Sequence, residues 1–241
     1  IISKTRKILL LFLPVWMVQL PGVILRSKPL TKRQCNLCGF TGFFGSNGRP
    51  PRIDALCPKC GSLERHRLLW IWLNKQAKLP TPILHFAPEK VLEKKLRSEY
   101  NNYYTTADLY VTEVDEKLNL EKIDKPDNSV GTIIANHVLE HVNDMKTLKE
   151  FYRILKPQGI LLCEIPIIEG WDETFEKPGV EPGIGAEIYF GQKDHVRFYG
   201  KDFRDKIKQA GFRLTEYTAV GEDVITYGLV RGEKVFIAVK P

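Results

Sequence analysis

Acidic residues are nearly absent from the first third of this 241-residue sequence. Residues 1–80 contain 14 Lys and Arg side chains against two acids, Asp54 and Glu64, and so carry a net charge of +12. The remaining residues carry 22 basic and 27 acidic side chains, a net charge of −5. Such a basic region is typical of a chain that meets an acidic partner, such as phospholipid, nucleic acid or a phosphorylated substrate. A basic face that meets only water has the same composition.

Long hydrophobic runs are also scarce, and residues 8–25 form the longest. Pro14 and Pro21 interrupt this run, and prolines break a helix into short pieces. Three interpretations stay open: a helix docked on the protein, an element lying on a membrane surface, or a membrane span. No small-residue cleavage site follows, which argues against a signal peptide. We expect a cytoplasmic protein, with peripheral membrane contact through residues 8–25 left open.

Cysteine is used sparingly, and four of the five cysteines form two C-x-x-C pairs. The pairs are Cys35 with Cys38 and Cys57 with Cys60, and 18 residues separate them. Each pair presents two thiolates on a tight turn, and two such turns complete a closed tetrahedral zinc site. The spacing predicts a structural Zn²⁺ site and a reducing compartment, where disulfides are rare. The fifth, Cys163, is expected to be buried in a strand.

The clearest pattern of secondary structure lies in the middle of the chain. Residues 130–135 and 160–165 are apolar runs typical of buried strands, and residues 138–155 between them have apolar side chains at helical spacing. A helix that connects two parallel strands predicts an open α/β sheet. Ligands bind such sheets at the carboxyl ends of the strands, where Asn136 and His137 follow the first of these two.

Four segments divide the chain. They are an apolar and basic N-terminal segment (1–30), a Cys₄ zinc ribbon (31–62), a linker helix (63–80) whose first turn Ser62 is expected to cap, and an α/β domain (81–241). Within the last, the patterns predict strands at 82–86, 103–107, 212–220 and 234–239, helices at 90–100 and 200–210, a long loop at 167–193 and a turn at 228–232.

Three phrases in this last segment, NHVLEHV, FYRILKPQGILLCEIP and HVRFYGKDF, resemble the core of class I S-adenosylmethionine-dependent methyltransferases of the type 11 kind. The resemblance covers residues 82–241. It implies a Rossmann-like sheet of seven strands, mostly parallel with an antiparallel last strand, and S-adenosyl-L-methionine as cofactor. The ribbon phrase CPKCGSLERHR beside such a domain resembles bacterial methyltransferases of glycan-related context and a ribosomal-RNA guanine methyltransferase group with a zinc ribbon.

The same resemblance implies the residues of a cofactor site. Asp108 matches the acidic residue that holds the ribose hydroxyls. Asn119 and Leu120 match the pair that meets the adenine, where the family more often has Asp at the first position. Asn136 and His137 fall where the methyl group points.

The first strand of the domain departs from the family pattern. It ends in His85-Phe-Ala87-Pro88-Glu89, where the family has an acidic residue and a glycine-rich turn. Glycine lets the backbone approach a ligand closely, whereas Ala87 and Pro88 are more restrictive. We therefore expect His85, Ala87 and Glu89 to hold the methionine end of the cofactor, with Glu89 meeting its ammonium group.

Two histidines are the candidate catalytic bases. His137 and His195 qualify because imidazole titrates near neutrality, although His195 could equally form a structural hydrogen bond at a helix entry. Arg197 and Tyr199 are the predicted contacts to an anionic or sugar-like substrate.

A competing motif overlaps this region. His137-Val-Leu-Glu140-His141 matches the H-x-x-E-H signature of zinc proteases. That chemistry needs both histidines on one face of one helix. His137 abuts a strand instead, and a third ligand is not evident from the sequence, so we reject a protease.

Two functions from different classes remain. The first is an S-adenosylmethionine-dependent methyltransferase acting on a small molecule or glycan, or alternatively on RNA. The second is a non-catalytic protein of the same fold that binds RNA or membrane through its basic zinc-ribbon region. The turn at Ala87 and Pro88 favours the second, whereas Asp108 and the pair Asn136-His137 favour the enzyme.

Overall fold

The computed structural model describes residue 29, residues 31–48 and residues 51–241. The hydrophobic run at residues 8–25 therefore lies outside the described residues. Within the described ranges no helix is long and apolar enough to cross a membrane. The strands are β1 (Arg33–Gln34), β2 (Thr41–Gly42), β3 (Gly45–Asn47), β4 (Arg52–Leu56), β5 (Ile83–Phe86), β6 (Tyr104–Asp108), β7 (Glu116–Lys117), β8 (Val130–Ala135), β9 (Leu155–Cys163), β10 (Phe175–Glu176), β11 (Arg197–Phe198), β12 (Arg213–Thr218) and β13 (Lys234–Val239). The helices are α1 (Glu64–Asn74), α2 (Lys90–Tyr100), α3 (Asp144–Ile154), α4 (Ile184–Phe190), α5 (Phe203–Gln209) and α6 (Gly221–Tyr227), with 3₁₀ turns at Asn101–Tyr103 and Leu139–His141.

Seven strands form one sheet in the order β12-β13-β9-β8-β5-β6-β7. From β9 to β7 each strand runs parallel to its neighbour, whereas β13 is antiparallel to both β9 and β12. The predicted seven-strand sheet with an antiparallel last strand is confirmed. Strand β5 lies between β6 and β8, so the carboxyl ends of these three parallel strands meet at one edge, where open α/β sheets bind ligands.

Apolar side chains cover both faces of this sheet. One cluster includes Phe151 of α3 and Phe203 of α5. The other includes Leu69 of α1, Leu92 of α2 and Phe44 of the ribbon. Because α1 and the ribbon share a core with the second face, the ribbon is packed against the α/β domain rather than tethered to it.

Arg67 of α1 connects the ribbon to the C-terminal part of the chain. Its fully buried guanidinium donates to the backbone oxygens of Ala55 at 2.9 Å and Ser62 at 2.7 Å, both in the ribbon. It also donates to the backbone oxygens of Tyr227 at 2.7 Å and Gly228 at 2.9 Å, at the end of α6. A buried charge is costly unless hydrogen-bonded, so these four carbonyls hold the ribbon and α6 in fixed relation.

The single helix predicted at residues 138–155 is wrong. A 3₁₀ turn occupies Leu139–His141, and α3 begins only at Asp144. Asn143 is the reason, because its side-chain oxygen accepts a hydrogen bond from the backbone nitrogen of Lys146 at 3.0 Å, the capping geometry that Asn favours. The 3₁₀ turn leaves Glu140 at the edge of the sheet instead of on a helix.

The cap predicted for α1 is also wrong. Ser62 makes no capping bond, and its hydroxyl lies 3.2 Å from the sulfur of Cys35. His66 caps the helix instead, since its Nδ1 accepts from the backbone nitrogen of Leu63 at 3.1 Å.

The sequence patterns missed short elements near the C-terminus. Helix α6 lies between the strand predicted at 212–220 and the turn predicted at 228–232, and Gly228 ends it in the left-handed conformation. The loop predicted at 167–193 contains β10, which pairs with β11, and the seven-residue helix α4. These elements are too short to produce a clear hydrophobic period.

Candidate functional site

A cavity of about 700 Å³ opens at the carboxyl ends of β5, β6 and β8. It is called the strand-end cavity below. Its lining includes five residues that the sequence assigned to the site: Ala87, Asp108, Asn119, Leu120 and His137. These residues are far apart in the chain, and the sheet brings them together. The volume lies within the range typical of small-molecule sites.

Two lining residues have the left-handed backbone conformation that side chains avoid. Ala87 has φ of 46° and His137 has φ of 51°. The left-handed conformation costs a non-glycine residue about 1–2 kcal/mol. Ala87 therefore adopts a conformation that glycine adopts freely, and its backbone nitrogen donates to the oxygen of Ala107 on β6 at 3.0 Å. Strained residues of this kind concentrate at functional sites.

His85 and Glu89 lie behind the turn and not on the cavity lining. His85 is fully buried, with Nδ1 2.7 Å from Tyr104 Oη and Nε2 3.0 Å from Glu89 Oε2. The other oxygen of Glu89 accepts from Asn136 Nδ2 at 3.3 Å. Burial raises the pKa of Glu89, but the His85 hydrogen bond and the charges of His85 and His66 outweigh it and lower the pKa to about 2. Glu89 is thus a negative charge held below the turn.

Asp108 and Asn119 are fixed by turns of their own backbone. Asp108 Oδ1 accepts from the nitrogens of Tyr110 at 2.7 Å and Val111 at 2.8 Å. Asn119 Oδ1 accepts from the nitrogen of Glu121 at 2.9 Å. Such local bonds are typical of turn residues. They hold both side chains at the cavity edge, and Asp108 Oδ2 accepts no hydrogen bond from any residue in the described ranges.

A second cavity, of about 810 Å³, lies beside the first. It is called the ribbon-side cavity, because Arg52 and Arg65 of the ribbon and α1 contribute to its lining. His137, His141 and Asp194 line both cavities, so the two meet at these residues.

Both candidate bases lie near one carboxylate, Glu140. His137 Nδ1 is 3.3 Å from Glu140 Oε1, and His195 Nε2 is 4.0 Å from the same oxygen. Burial lowers the pKa of His195. The sequence did not assign Glu140 to the site, because its partner His195 is distant in sequence. In the sequence, Glu140 is noticeable only as the glutamate of the rejected H-x-x-E-H motif.

Arg197 and Tyr199 lie beneath this cluster. Arg197 donates to the backbone oxygen of Leu139 at 2.8 Å and to Glu176 Oε1 at 2.6 Å, and Tyr199 Oη donates to the same Leu139 oxygen at 3.0 Å. Neither residue lines either cavity. Their contacts are those of residues that position the 3₁₀ turn, and their role in substrate binding stays a prediction.

The four ribbon cysteines lie close enough to share a metal ion: Cys35, Cys38, Cys57 and Cys60. Two pairs of sulfur atoms across the group are each 3.6 Å apart. A tetrahedral zinc ion with 2.3 Å bonds to sulfur places its ligands roughly 3.8 Å apart, so the spacing fits. Gly39 and Gly61, both with φ of 73°, close the two cysteine turns.

A family model described as a methyltransferase domain matches residues 87–217, more than half of the chain. The chain belongs to this methyltransferase family. The matched range contains every lining residue of the strand-end cavity except Phe86, and it also contains Glu140 and His195. The ribbon and α1 precede it.

A relative of this methyltransferase-family chain agrees with that assignment. A demethylmenaquinone methyltransferase of Listeria monocytogenes is 39% identical over 75 residues, which are 30% of this chain and 31% of the relative. The chain thus matches less than a third of the length of that relative.

Two solved structures are similar in fold. One belongs to a complex between the Haloferax volcanii Trm112 methyltransferase activator and a methyltransferase, with a TM-score of 0.52 and 15% identity over 72% of this chain and 88% of that one. The other is an S-adenosylmethionine-dependent methyltransferase from Mesorhizobium loti, with a TM-score of 0.51 and 15% identity over 71% of this chain and 97% of that one. At such identity the similarity shows the fold alone.

Proposed function

We propose that this chain transfers a methyl group from S-adenosylmethionine to a polar acceptor. The cofactor occupies the strand-end cavity and the acceptor enters from the ribbon-side cavity. The observation that carries the proposal is that Ala87, Asp108, Asn119 and His137 line one cavity at the ends of three parallel strands. The Cys₄ ribbon is proposed to hold a structural Zn²⁺.

The ribose and adenine contacts follow from the edge of the cavity. Asp108 has its Oδ1 occupied by two backbone donors, and a carboxylate oxygen such as Oδ2 accepts hydroxyl hydrogen bonds readily. Asn119 and Leu120 lie further along the lining and are proposed to meet the adenine ring.

The methionine end is proposed to lie over the turn at Ala87. Asn136 Oδ1 is buried and accepts no hydrogen bond from the described residues, and Glu89 below it is ionised because its pKa is lowered to about 2. An ammonium group has three donors and no acceptor, so Asn136 Oδ1 is proposed to accept from it and the negative charge of Glu89 behind the turn to attract it. The left-handed conformation of Ala87 keeps the turn in the shape that glycine would allow.

The cofactor supplies an electrophilic methyl group, and the protein supplies orientation and a base. His137 lies where the two cavities meet. With Nδ1 near Glu140 Oε1, its Nε2 is the proposed acceptor of the proton that leaves the methylated atom. His195 is the alternative base, since its lowered pKa keeps it neutral at pH 7.

The alternative function, a non-catalytic protein of this fold, rests on the missing glycines and the basic N-terminal third. Ala87 weakens the first argument, because it already has the left-handed conformation of a glycine. Binding of RNA or of anionic liposomes without any binding of S-adenosylmethionine is the result that favours this alternative.

Calorimetric titration of the zinc-loaded protein with S-adenosylmethionine tests the proposal. We expect binding, and we expect Asp108→Asn to weaken it about tenfold or more, because a hydrogen bond to a charged group contributes about 1.5–3 kcal/mol. Asp124→Asn is the matched control, since Asp124 is an exposed acid outside the cavity lining. A well-folded protein that does not bind the cofactor excludes the enzyme.

The acceptor class requires a separate experiment. The protein and methyl-labelled cofactor are incubated with a small-molecule and glycan extract, with total RNA, or with anionic liposomes. We expect label in the small-molecule and glycan fraction. Label in RNA instead assigns the acceptor to nucleic acid. The cytoplasmic location and membrane contact through residues 8–25 stay predictions that cell fractionation tests.

A further inference from the structure

We propose that Glu140, His141 and His195 bind a divalent transition-metal ion where the two cavities meet. One candidate ligand atom of each residue lies within 4.8 Å of those of the other two. Apart from the ribbon cysteines, this is the one such group of potential ligands within the described ranges. The inference stands on these side chains and does not require methyl transfer.

The carboxylate of Glu140 is buried beside two histidine rings but forms a hydrogen bond with neither. Glu140 is fully buried, and neither of its oxygens accepts a hydrogen bond from any described residue. The nearest ring nitrogens are those of His137 at 3.3 Å and His195 at 4.0 Å. Burying an ionised carboxylate without hydrogen bonds or a cation is strongly unfavourable. A metal ion is the partner that would satisfy it.

The hydrogen bond of His141 leaves one of its ring nitrogens available to a metal ion. Its Nδ1 lies 2.9 Å from the backbone oxygen of Asp194. A carbonyl oxygen only accepts, so Nδ1 carries the proton and Nε2 keeps its lone pair. Metal-binding histidines almost always donate their second nitrogen in this way, which fixes the ring and its tautomer.

Two contacts hold His195 beside this pair. Its ring packs edge-on against that of His141, with centroids 4.8 Å apart. The backbone nitrogen of Val196 donates to the backbone oxygen of Glu140 at 3.0 Å. This hydrogen bond holds the segment after α4 against the 3₁₀ turn. His195 is thereby the third potential ligand, which the H-x-x-E-H motif alone does not supply.

The donor set selects the kind of metal. Two imidazoles and one carboxylate suit Zn²⁺ or another first-row ion with open coordination positions, whereas Mg²⁺ and Ca²⁺ prefer oxygen ligands. Bonds of 2.0–2.2 Å need ligand atoms roughly 3–4 Å apart, so the side chains must approach by about 1 Å. All three residues line the ribbon-side cavity, so the ion's remaining ligands are water or an oxygen of a molecule in that cavity.

Zinc counting on the full chain tests the site without the cofactor. The protein is loaded with Zn²⁺, freed of excess by gel filtration and analysed by plasma mass spectrometry. We expect two zinc ions per chain in the parent protein. We expect one in Glu140→Gln and in His195→Ala, and one in the double variant Cys35→Ser, Cys38→Ser, which removes the ribbon metal instead.

Glu164→Gln is the matched control. Glu164 is also buried with both oxygens unpartnered among the described residues, yet it is not in the cluster, so this variant should keep two zinc ions. Cobalt substitution adds a second measurement, because only cobalt in the ribbon gives thiolate charge-transfer absorption. Glu140→Gln should keep this absorption and lose the visible bands of cobalt at the second site.

Two outcomes would overturn the metal site. One is a single zinc ion per folded parent chain that the cysteine double variant removes. The other is two zinc ions in every folded variant of Glu140, His141 and His195. His141→Gln guards against misfolding, because His141 is only partly buried. The zinc count does not depend on cofactor binding. A protein that does not bind S-adenosylmethionine can therefore still confirm or contradict the metal site.

Discussion

Burial lowers the pKa of His66 to about 4, an effect that the charge of Glu89 opposes and that of Arg65 reinforces. Its Nδ1 accepts the hydrogen bond that caps α1, so His66 is neutral in the folded protein at pH 7. In the unfolded chain an ordinary histidine gains its proton near pH 6.5. The unfolded chain therefore binds one more proton than the folded protein between about pH 6.5 and pH 4.

This difference predicts a pH-dependent loss of stability. Because the unfolded state binds more protons in this window, stability falls as the pH falls. From pH 7.5 to pH 5.5 we expect His66 to remove about 1.3 kcal/mol from the free energy of unfolding. His66→Asn keeps an acceptor for the Leu63 nitrogen but cannot titrate. Urea denaturation of both proteins at both pH values measures the difference, and equal losses contradict the prediction.

Some residues of the site were predictable from pattern and others from the family resemblance: the strand end alone indicated His137, which lines both cavities. Asp108 and Asn119 were assigned from the resemblance, and both lie on the strand-end cavity. Glu140 was not assigned, since its environment depends on His195 arriving from a distant segment. The local sequence pattern also gave no sign that His85 lies behind the turn, beside Glu89, and not on the cavity lining.

At the scale of elements, the turn after β5 lacks the glycines of the family pattern, yet its alanine has a backbone conformation that glycine adopts freely. Ala87 has φ of 46° and lines the strand-end cavity. Replacement by glycine removes the cost of the left-handed conformation, about 1–2 kcal/mol. It also makes the unfolded chain more flexible, which lowers the free energy of unfolding by about 0.5–1 kcal/mol. We expect Ala87→Gly to raise the free energy of unfolding by about 0.5 kcal/mol.

A second alanine provides the control for Ala87→Gly. Ala107 is fully buried in β6, an extended strand where glycine has no advantage. Ala107→Gly should therefore destabilise the protein by about 1 kcal/mol. Chemical denaturation compares the two variants, and changes of the same sign in both would show that backbone strain at Ala87 is not the cause.

Long, strongly periodic elements were predictable, and short ones set by capping were not. The helix at Lys90–Tyr100 and the strand at Lys234–Val239 have the predicted bounds. The helix predicted at 138–155 is split because Asn143 caps α3 from within that range. Its apolar period continues across the break, so periodicity alone gives no sign of the 3₁₀ turn that carries Glu140.

At the scale of the whole molecule, a buried cation, Arg67, connects the ribbon to the α/β domain. Arg67 bonds to two ribbon carbonyls and two carbonyls at the end of α6. Arg67→Met leaves these acceptors buried without donors, and we expect a loss of about 3 kcal/mol in the free energy of unfolding. Arg213→Met, on the exposed side of β12, should change it by less than about 0.5 kcal/mol. Equal losses in the two variants would contradict this connection.

The packing of the ribbon also places a cation in the ribbon-side cavity. Arg65 lines this cavity, and its Nε is buried without a hydrogen-bond partner in the described part of the chain. Its neighbour Arg52 is already paired with Glu64 at 2.8 Å. A buried donor without an acceptor costs about 1–3 kcal/mol. A polar or anionic group of the methylated substrate, bound in this cavity, would accept a hydrogen bond from Arg65 Nε. That contact would give the basic N-terminal third a specific role.

This arrangement predicts that Arg65 acts on the acceptor and not on the cofactor. We expect Arg65→Gln to lower methyl incorporation about tenfold at sub-saturating acceptor, because a charge-assisted hydrogen bond is lost, while calorimetric binding of S-adenosylmethionine stays unchanged. Lys32→Gln is the control, since Lys32 is an exposed cation of the same region outside the cavity. An equal fall in Lys32→Gln would mean that overall positive charge attracts the acceptor. A parallel loss of cofactor binding in Arg65→Gln would place Arg65 in the cofactor site instead.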